Sequence, residues 1–401
     1  MTEGGVPGPG NGPRLFTPAF GCLTSANLLM ACGFYALIPT LPLYLKNGLG
    51  LDKGETGVVL ACFSVSALST RPFAGLLLDS VSRHRVYVFS FSAVAVLCGV
   101  YALAASMAAM VVLRLVHGVA FALATTATVT LVADITPRAR RGEGLGLFGL
   151  TMPLGMSVGP VVGLAVLAQW NATALFLMIM ALSLLGLSLG LRVRSDHVPG
   201  GMRRFRPRDL LLMRGIPLSL VMLLVVIPYG GAMSFASLYA EQKGLGSSGA
   251  FFMCVAGAVI VARLVSGRAF DRGHVRIPLP GGMCVMAAGV FWLGCLDEGW
   301  ELLGSGGMIG FGFGVAEPPL LTMVNNLAPA DQRGRANSTF FIALDLGIGA
   351  GSLFTGYLGE IVNLGWVYRV DAVFLLIGFG LFFGWALPRY RRDVSGHAQS
   401  A

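Results

Sequence analysis

Long apolar stretches separated by short polar connections set the rhythm of this chain. Twelve of them stand at roughly 16–38, 54–78, 86–106, 109–133, 143–168, 172–191, 216–240, 249–270, 278–296, 302–326, 336–361 and 367–387. A helix needs about 20 mostly apolar residues to cross the hydrocarbon core of a bilayer, and each run comes close to or exceeds that length. Inside lipid every backbone N–H and C=O must be satisfied within the structure. Spanning strands would also show apolar and polar residues alternating at every second position, and these runs do not. The pattern predicts an all-α integral membrane protein of twelve transmembrane helices.

Composition narrows the class further. Of 401 residues, 55% are hydrophobic and 12% charged, with a mean hydropathy of +0.76, against about 25% charged in soluble chains. So little charge cannot cover a globule of this size in water, which excludes the soluble-enzyme, disordered and fibrous classes. The net charge of +9 comes from Arg residues in the short gaps between runs rather than from a folded basic face, so nucleic acid is not an expected partner. Seven cysteines in or beside apolar runs, without a C-x-x-C pair, suggest neither a disulfide framework nor a metal site. No cofactor is expected.

Charge placement gives orientation. With the N-terminus inside, the tails and the even-numbered connections carry twenty-one Arg, and the opposite side keeps Lys46, Lys53, Lys243 and Arg369. The positive-inside rule then places both termini in the cytoplasm of a multi-pass cell-membrane protein. Residues 1–14, rich in Gly and Pro, read as a disordered cytoplasmic tail without a cleaved targeting segment. Bundles are expected over 15–191 and 216–388, joined by an Arg-rich cytoplasmic linker at 192–215 and followed by a tail at 389–401. The seven Arg of the linker suit anionic lipid headgroups.

The two bundles are copies. Arg71, Gly75 and Asp79 recur as Arg263, Gly267 and Asp271. Gly118 recurs as Gly310, Pro137 and Arg141 as Pro329 and Arg333, and Gly155 and Gly159 as Gly347 and Gly351, always 192 positions later. One constant offset over separated segments marks parallel six-helix repeats, an architecture of secondary transporters with the site between the halves near mid-membrane.

The segment G-L-L-L-D-S-V-S-R-H-R (75–85) and its copy G-R-A-F-D-R-G-H-V-R (267–276) resemble the signature loop of the major facilitator superfamily. Ser80 and Ser82 replace a usual Arg and Gly in the first copy. The resemblance implies a gate latch made by Asp79, Arg83, Asp271 and Arg272, with carboxylates at helix N-termini. G-M-S-V-G-P-V-V-G (155–163) and R-L-V-H-G (114–118) are similar to elements of the superfamily's drug:proton antiporters. They imply helix packing by Gly155, Gly159, Pro160 and Gly163 and a proton-transfer role for Arg114. The likeness covers about 15–390 and does not specify a substrate. G-x-G-x-x-G at Gly144–Gly149 and G-x-S-x-G at Gly155–Gly159 would mean enzyme chemistry only on a strand-turn-helix, whereas the pattern here is one uninterrupted helix. No enzymatic activity is expected.

A charge at mid-membrane costs on the order of 3 kcal/mol, so each one asks for a partner or a role. The candidates are Arg71, Arg114, Arg263, Glu317 and Asp345. Glu317 lies about 14 Å from one end of the tenth helix at 1.5 Å per residue, on a helix that the resemblance implies lines the cavity, and Pro318 and Pro319 loosen it. Out of water a carboxyl favours its protonated form and a bound cation favours the ionised one, so Glu317 can exchange a proton for a cationic substrate. A static ion pair is the alternative. Asp345 and Arg71 lie at similar depths on helices that the family packs across the halves. A pair between them would hold one state closed, with separate pairs inside each half as the other possibility. For Arg263 no acid stands at the matching place on the fifth helix, where Pro153 lies, and its partner is left open. Arg114 and His117, on one face of the fourth helix, suit a proton relay or plain packing. Asn27, Tyr35 and Tyr229 are polar candidates on the cavity wall.

The expectation is a secondary active transporter, a monomer working by alternating access, with proton-coupled efflux of small amphipathic or cationic compounds. The absence of a Walker-type phosphate loop leaves an ion gradient as the energy source. A nutrient symporter and a non-transporting sensor or scaffold remain as alternatives, since fold alone does not decide among them.

Overall fold

The computed structural model describes residues 15–137, 140–193, 211–245, 248–271, 278–328 and 333–398. They form α1 (Pro18–Leu49), α2 (Lys53–Ser80), α3 (Arg83–Val100), α4 (Met107–Ile135), α5 (Arg141–Gly149), α6 (Thr151–Gln169), α7 (Ala172–Gly190), α8 (Ile216–Lys243), α9 (Ser248–Asp271), α10 (Pro278–Leu293), α11 (Gly299–Asn326), α12 (Arg333–Ile361), α13 (Leu364–Leu381) and α14 (Leu387–Ala398). Among the described residues ten helical passages are long and apolar enough to cross a membrane, and the shorter apolar stretches Gly249–Arg263 and Leu279–Leu293 fill the eighth and ninth places. The expected tail at 1–14 and most of the linker at 192–215 lie outside the described residues.

Local chemistry explains the helix ends. Thr17, Asp52, Ser106, Asn171 and Asn363 each accept a backbone N–H of the first turn they precede, satisfying donors that would otherwise be orphaned. The capping asparagines are themselves 192 apart, and each makes its bond at 2.8 Å, to Ala174 and to Trp366. At the other end of the long passages, α1 and α8 both stop at a glycine in the left-handed region, Gly50 at φ 69° and Gly244 at φ 67°.

Two details depart from the sequence pattern. The fifth run is two helices, α5 and α6, broken at Leu150. Three glycines within Gly144–Gly149 weaken that stretch, and Pro153 has no N–H to offer the carbonyl of Gly149. Since helix precedes and follows the break, the enzyme-like motifs still lack their strand. The tail expected from 389 instead continues as helix. A π turn at Phe382–Ala386, in which the Leu387 N–H bonds the Phe382 carbonyl, admits Pro388 and leads into α14.

The duplication is visible in three dimensions. Adding 192 to the bounds of α4 gives 299–327, against Gly299–Asn326 for α11, and adding it to α7 gives 364–382, against Leu364–Leu381 for α13. In the first lobe α1 packs on α6 and α7, α4 on α2 and α3, and α3 on α7. The second lobe repeats this with α8 on α12 and α13, α11 on α9 and α10, and α10 on α13. Close approach depends on glycine at matched places. A Cβ on Gly159 would stand 2.5 Å from the Cys32 carbonyl oxygen of α1, and one on Gly351 2.0 Å from the Ile227 carbonyl oxygen of α8. The lobes meet along α2–α12, α6–α9 and α1–α8. Phe89, Val96, Leu103, Leu185, Val373 and Leu376 are exposed, an apolar outer surface that suits lipid and would be a liability in water.

Candidate functional site

Both lobes contribute to the centre. Glu317 on α11 accepts a hydrogen bond from Arg263 Nη2 on α9 at 2.6 Å, with side chains 14% and 30% exposed. This answers the question of the Arg263 partner: the acid lies in its own lobe, on the neighbouring helix. One turn before Glu317, Phe313 stacks on Tyr229 of α8, with ring centroids 4.1 Å apart and planes 12° from parallel. The Tyr229 hydroxyl reaches across the lobes to Met156 Sδ on α6 at 3.1 Å. Tyr35 of α1 lies within electrostatic reach of Glu317, Arg263 and Asp345, and Tyr229 within reach of Tyr35, Glu317 and Arg263. Glu317, Tyr35 and Tyr229 therefore lie near one another, with Arg263 and Phe313 beside them. Pro318 and Pro319 deprive the carbonyls of Gly314 and Val315 of their helical donors, which loosens α11 beside the carboxylate.

A second ion pair ties the lobes together. Arg71 of α2 grips Asp345 of α12 through Nε to Oδ2 and Nη2 to Oδ1, and its guanidinium lies 6.0 Å from the Phe341 ring centre. The same seam runs on to the helix ends opposite the chain termini, called the far end below. There Lys53 Nζ donates to the Gly359 carbonyl at 2.8 Å and stands 3.9 Å from Glu360, and Asn47 donates to Glu241 at 3.2 Å. All three contacts join one lobe to the other, so the lobes touch at the far end.

The remaining candidates are dispersed. Arg114 is buried with its guanidinium 4.4 Å from the Phe63 ring centre, and His117 Nδ1 lies 3.1 Å from the Tyr101 hydroxyl. Between this pair and the centre stand Phe63, Phe34 and Phe121, ring against ring at 4.4 to 5.5 Å. Asn27 turns away from the centre and donates to Thr151 Oγ1 at 2.6 Å, joining α1 to α6. At the terminal end Arg83 donates to Asp134 at 2.5 Å. The side chains of Asp79 and Asp271, and Arg272 altogether, lie outside the described residues. Gly155, Gly159 and Gly163 face Ala31, Cys32 and Ala36 of α1.

Sequence reasoning missed Asp134, Phe313 and, above all, Asp371. Asp371 is fully buried on α13, accepts one hydrogen bond from Thr355 Oγ1 at 3.3 Å, and has no partner at Oδ1. Its signal was weak because the apolar run starts at 367, which puts an acid at 371 within about one turn of the edge. The helix begins earlier, at Leu364.

Two duplicated six-helix lobes, apolar on the outside and with charge paired between them, fit a multi-pass membrane transporter. The family model for the Major Facilitator Superfamily matches residues 23–299 and 260–400, and the chain belongs to that superfamily. It is similar to the staphylopine export protein of Staphylococcus aureus strain Mu50, 23% identical over 355 residues that cover 82% of this chain and 87% of that one. It is also similar to the quinolone resistance protein NorA of Staphylococcus aureus strain COL, 23% identical over 349 residues covering 83% and 88%. Among solved structures, an inward-facing bacterial homolog of the human lysosomal transporter Spinster superposes with a TM-score of 0.77 at 14% identity, covering 96% of this chain and 99% of that one. It shares the fold.

Proposed function

We propose that the protein exports small amphipathic or cationic compounds in exchange for protons, by alternating access of the central site to the two sides of the membrane. The observation that carries the reading is Glu317, a mid-membrane carboxylate paired with Arg263 and walled by Tyr35 and the stacked Tyr229 and Phe313. The wall offers aromatic faces, which attract cations, and the carboxylate offers one charge that a proton or a cationic group can neutralise. A proton arriving at Glu317 releases Arg263, and a substrate cation arriving in its place restores the pairing. Each exchange keeps the charge of the buried site constant, which is what low-dielectric surroundings favour.

Alternation needs a contact set that opens at one end as the other closes. The far-end contacts Asn47–Glu241 and Lys53–Glu360, with Arg71–Asp345 behind them, fit the closed half of such a cycle. In the same reading both termini face the cytoplasm, the Arg-rich connections touch anionic headgroups, the loops at Asp79 and Asp271 act at the opposite gate, and one chain suffices. The names of the two relatives, an exporter and a resistance protein, favour efflux over nutrient uptake.

The test is purified protein in liposomes with an acidic lumen, following a cationic dye and lumenal pH together. Dye accumulation against its gradient, with the lumen turning alkaline, is the expected result, and Glu317→Gln should abolish both. Dye movement indifferent to the pH gradient, or unaltered in Glu317→Gln, would overturn the proposal.

A further inference from the structure

Asp371 sits away from the central site, in the middle of the second lobe. It is seven residues into α13, about 10 Å from the start of that helix, and every side of it is protein. From α12, Thr355 provides its one hydrogen bond. From α8, the backbone at Gly231 presses so close that a Cβ there would stand 2.1 Å from Thr355 Oγ1 and 3.3 Å from Asp371 Oδ2. On its own helix Tyr368, one turn earlier, is fully buried with a hydroxyl that has no partner, and its ring packs against Tyr239 of α8.

No cation faces this carboxyl among the described residues. Arg369, two positions away and so on the other side of α13, donates to the Gly294 carbonyl and lies over Trp366. Lys243 at the end of α8 is held by the Leu296 carbonyl and Asp297. On α12 the acids are spoken for elsewhere, Asp345 by Arg71 and Glu360 near Lys53, and α10 carries no Asp, Glu, Lys, Arg or His. The titratable neighbours are therefore Tyr368 and Tyr239, both neutral. An ionised carboxylate with a single long bond to a hydroxyl is among the costliest groups to leave inside a membrane protein, whereas the neutral acid leaves only a carbonyl-like oxygen unsatisfied and can donate to Thr355.

We propose that Asp371 is a second proton-binding site of this transporter, loaded in the state with a closed far end and unloaded when α8 moves off Thr355. The connection to the centre is α8 itself. Two residues before Gly231 it carries Tyr229, stacked at the central site, and Pro228 and Gly230 weaken the helix at that level. A tilt of α8 that rearranges Tyr229 also lifts the backbone from the Thr355–Asp371 pair and exposes it. Protonation of the carboxyl makes one O–H bond, and release returns the proton to water, so no other reactant is involved. The coupling part of this proposal rests on the exporter reading above, and the protonation part does not.

Two measurements on the full-length protein separate these parts. Infrared spectra of the purified wild type at neutral pH should show a carboxylic-acid C=O band that Asp371→Asn removes, that Asp371→Glu shifts in frequency, and that Glu317→Gln leaves in place. In liposomes with an acidic lumen, Asp371→Asn should lower dye accumulation by about tenfold or more, and Asp371→Glu should recover a measurable part of it. If no band belongs to residue 371, the proton site is overturned. A wild type that accumulates dye with Asp371→Asn matching it would overturn the coupling role alone. A wild type indifferent to the pH gradient would remove the exporter reading and the coupling role together, while the band still decides whether Asp371 holds a proton.

Discussion

Arg71 and Arg263 are one residue in two copies, 192 positions apart, and the two lobes put them to different use. In the first lobe the acid of α4, Asp134, is held by Arg83 at the helix end. The place that matches Glu317 is Thr125, whose hydroxyl is bonded to the Phe121 carbonyl of its own helix. Arg71 instead reaches across the seam to Asp345 on α12. In the second lobe the place that matches Asp345 is Pro153, which offers no charge, and Arg263 pairs within its lobe with Glu317. The two copies thus carry the same arginine, and the different places of their acids make one a tie between lobes and the other a partner of Glu317 within its lobe.

Charge exchange separates the two roles most sharply. Each single reversal leaves two like charges together in a mostly buried place. Removing one partner of a fully buried pair costs about 3–5 kcal/mol, and the partial exposure of these four side chains lowers that figure. The double variant Arg71→Asp with Asp345→Arg should recover both thermal stability and pH-driven transport, because a tie needs only opposite charges. Arg263→Glu with Glu317→Arg should recover stability without transport, because an arginine in the place of Glu317 cannot release a proton. Transport assays beside thermal unfolding in detergent read both outcomes.

Next in size are the matched crossings. Gly351→Leu, or its copy Gly159→Leu, forces apart helices whose carbonyls lie where a Cβ would sit, and overpacking of this kind costs about 1–3 kcal/mol. Both should lower the melting temperature by similar amounts. A smaller loss is expected from Arg114→Lys, which keeps the charge but gives up the guanidinium 4.4 Å from the Phe63 ring centre, about 1 kcal/mol. Smallest is Lys53→Ala, where the 3.9 Å contact with the half-exposed Glu360 is worth about 0–1 kcal/mol.

Much of this could be read from the residues. Twelve apolar runs gave the passages and the offset of 192 gave the duplication, while the capping pair Asn171 and Asn363 shows the same offset only once the helix starts are seen. Depth along the helices, together with the packing that the family resemblance implies, offered the Arg71–Asp345 pair as one of two possibilities, and the structure shows that contact. Other features depended on which face a helix turns inward, and apolar runs this uniform hide that. Nothing in spacing tells that Asn27 turns to Thr151 and Tyr229 to Phe313, or that Arg263 meets an acid 54 positions on. Breaks such as Leu150 and the π turn before Pro388 were also invisible, since glycine and proline are tolerated inside membrane helices and do not by themselves mark an end.

The division of labour between the two arginines can be measured as a distance. With the native cysteines replaced, spin labels at Lys46 and Gln242, on opposite lobes at the far end, report whether that end is shut. Arg71→Ala should move a large part of the distance distribution to longer values, and Arg263→Ala should leave it where the unsubstituted protein has it. Equal opening by both substitutions, or none by Arg71→Ala, would contradict the account.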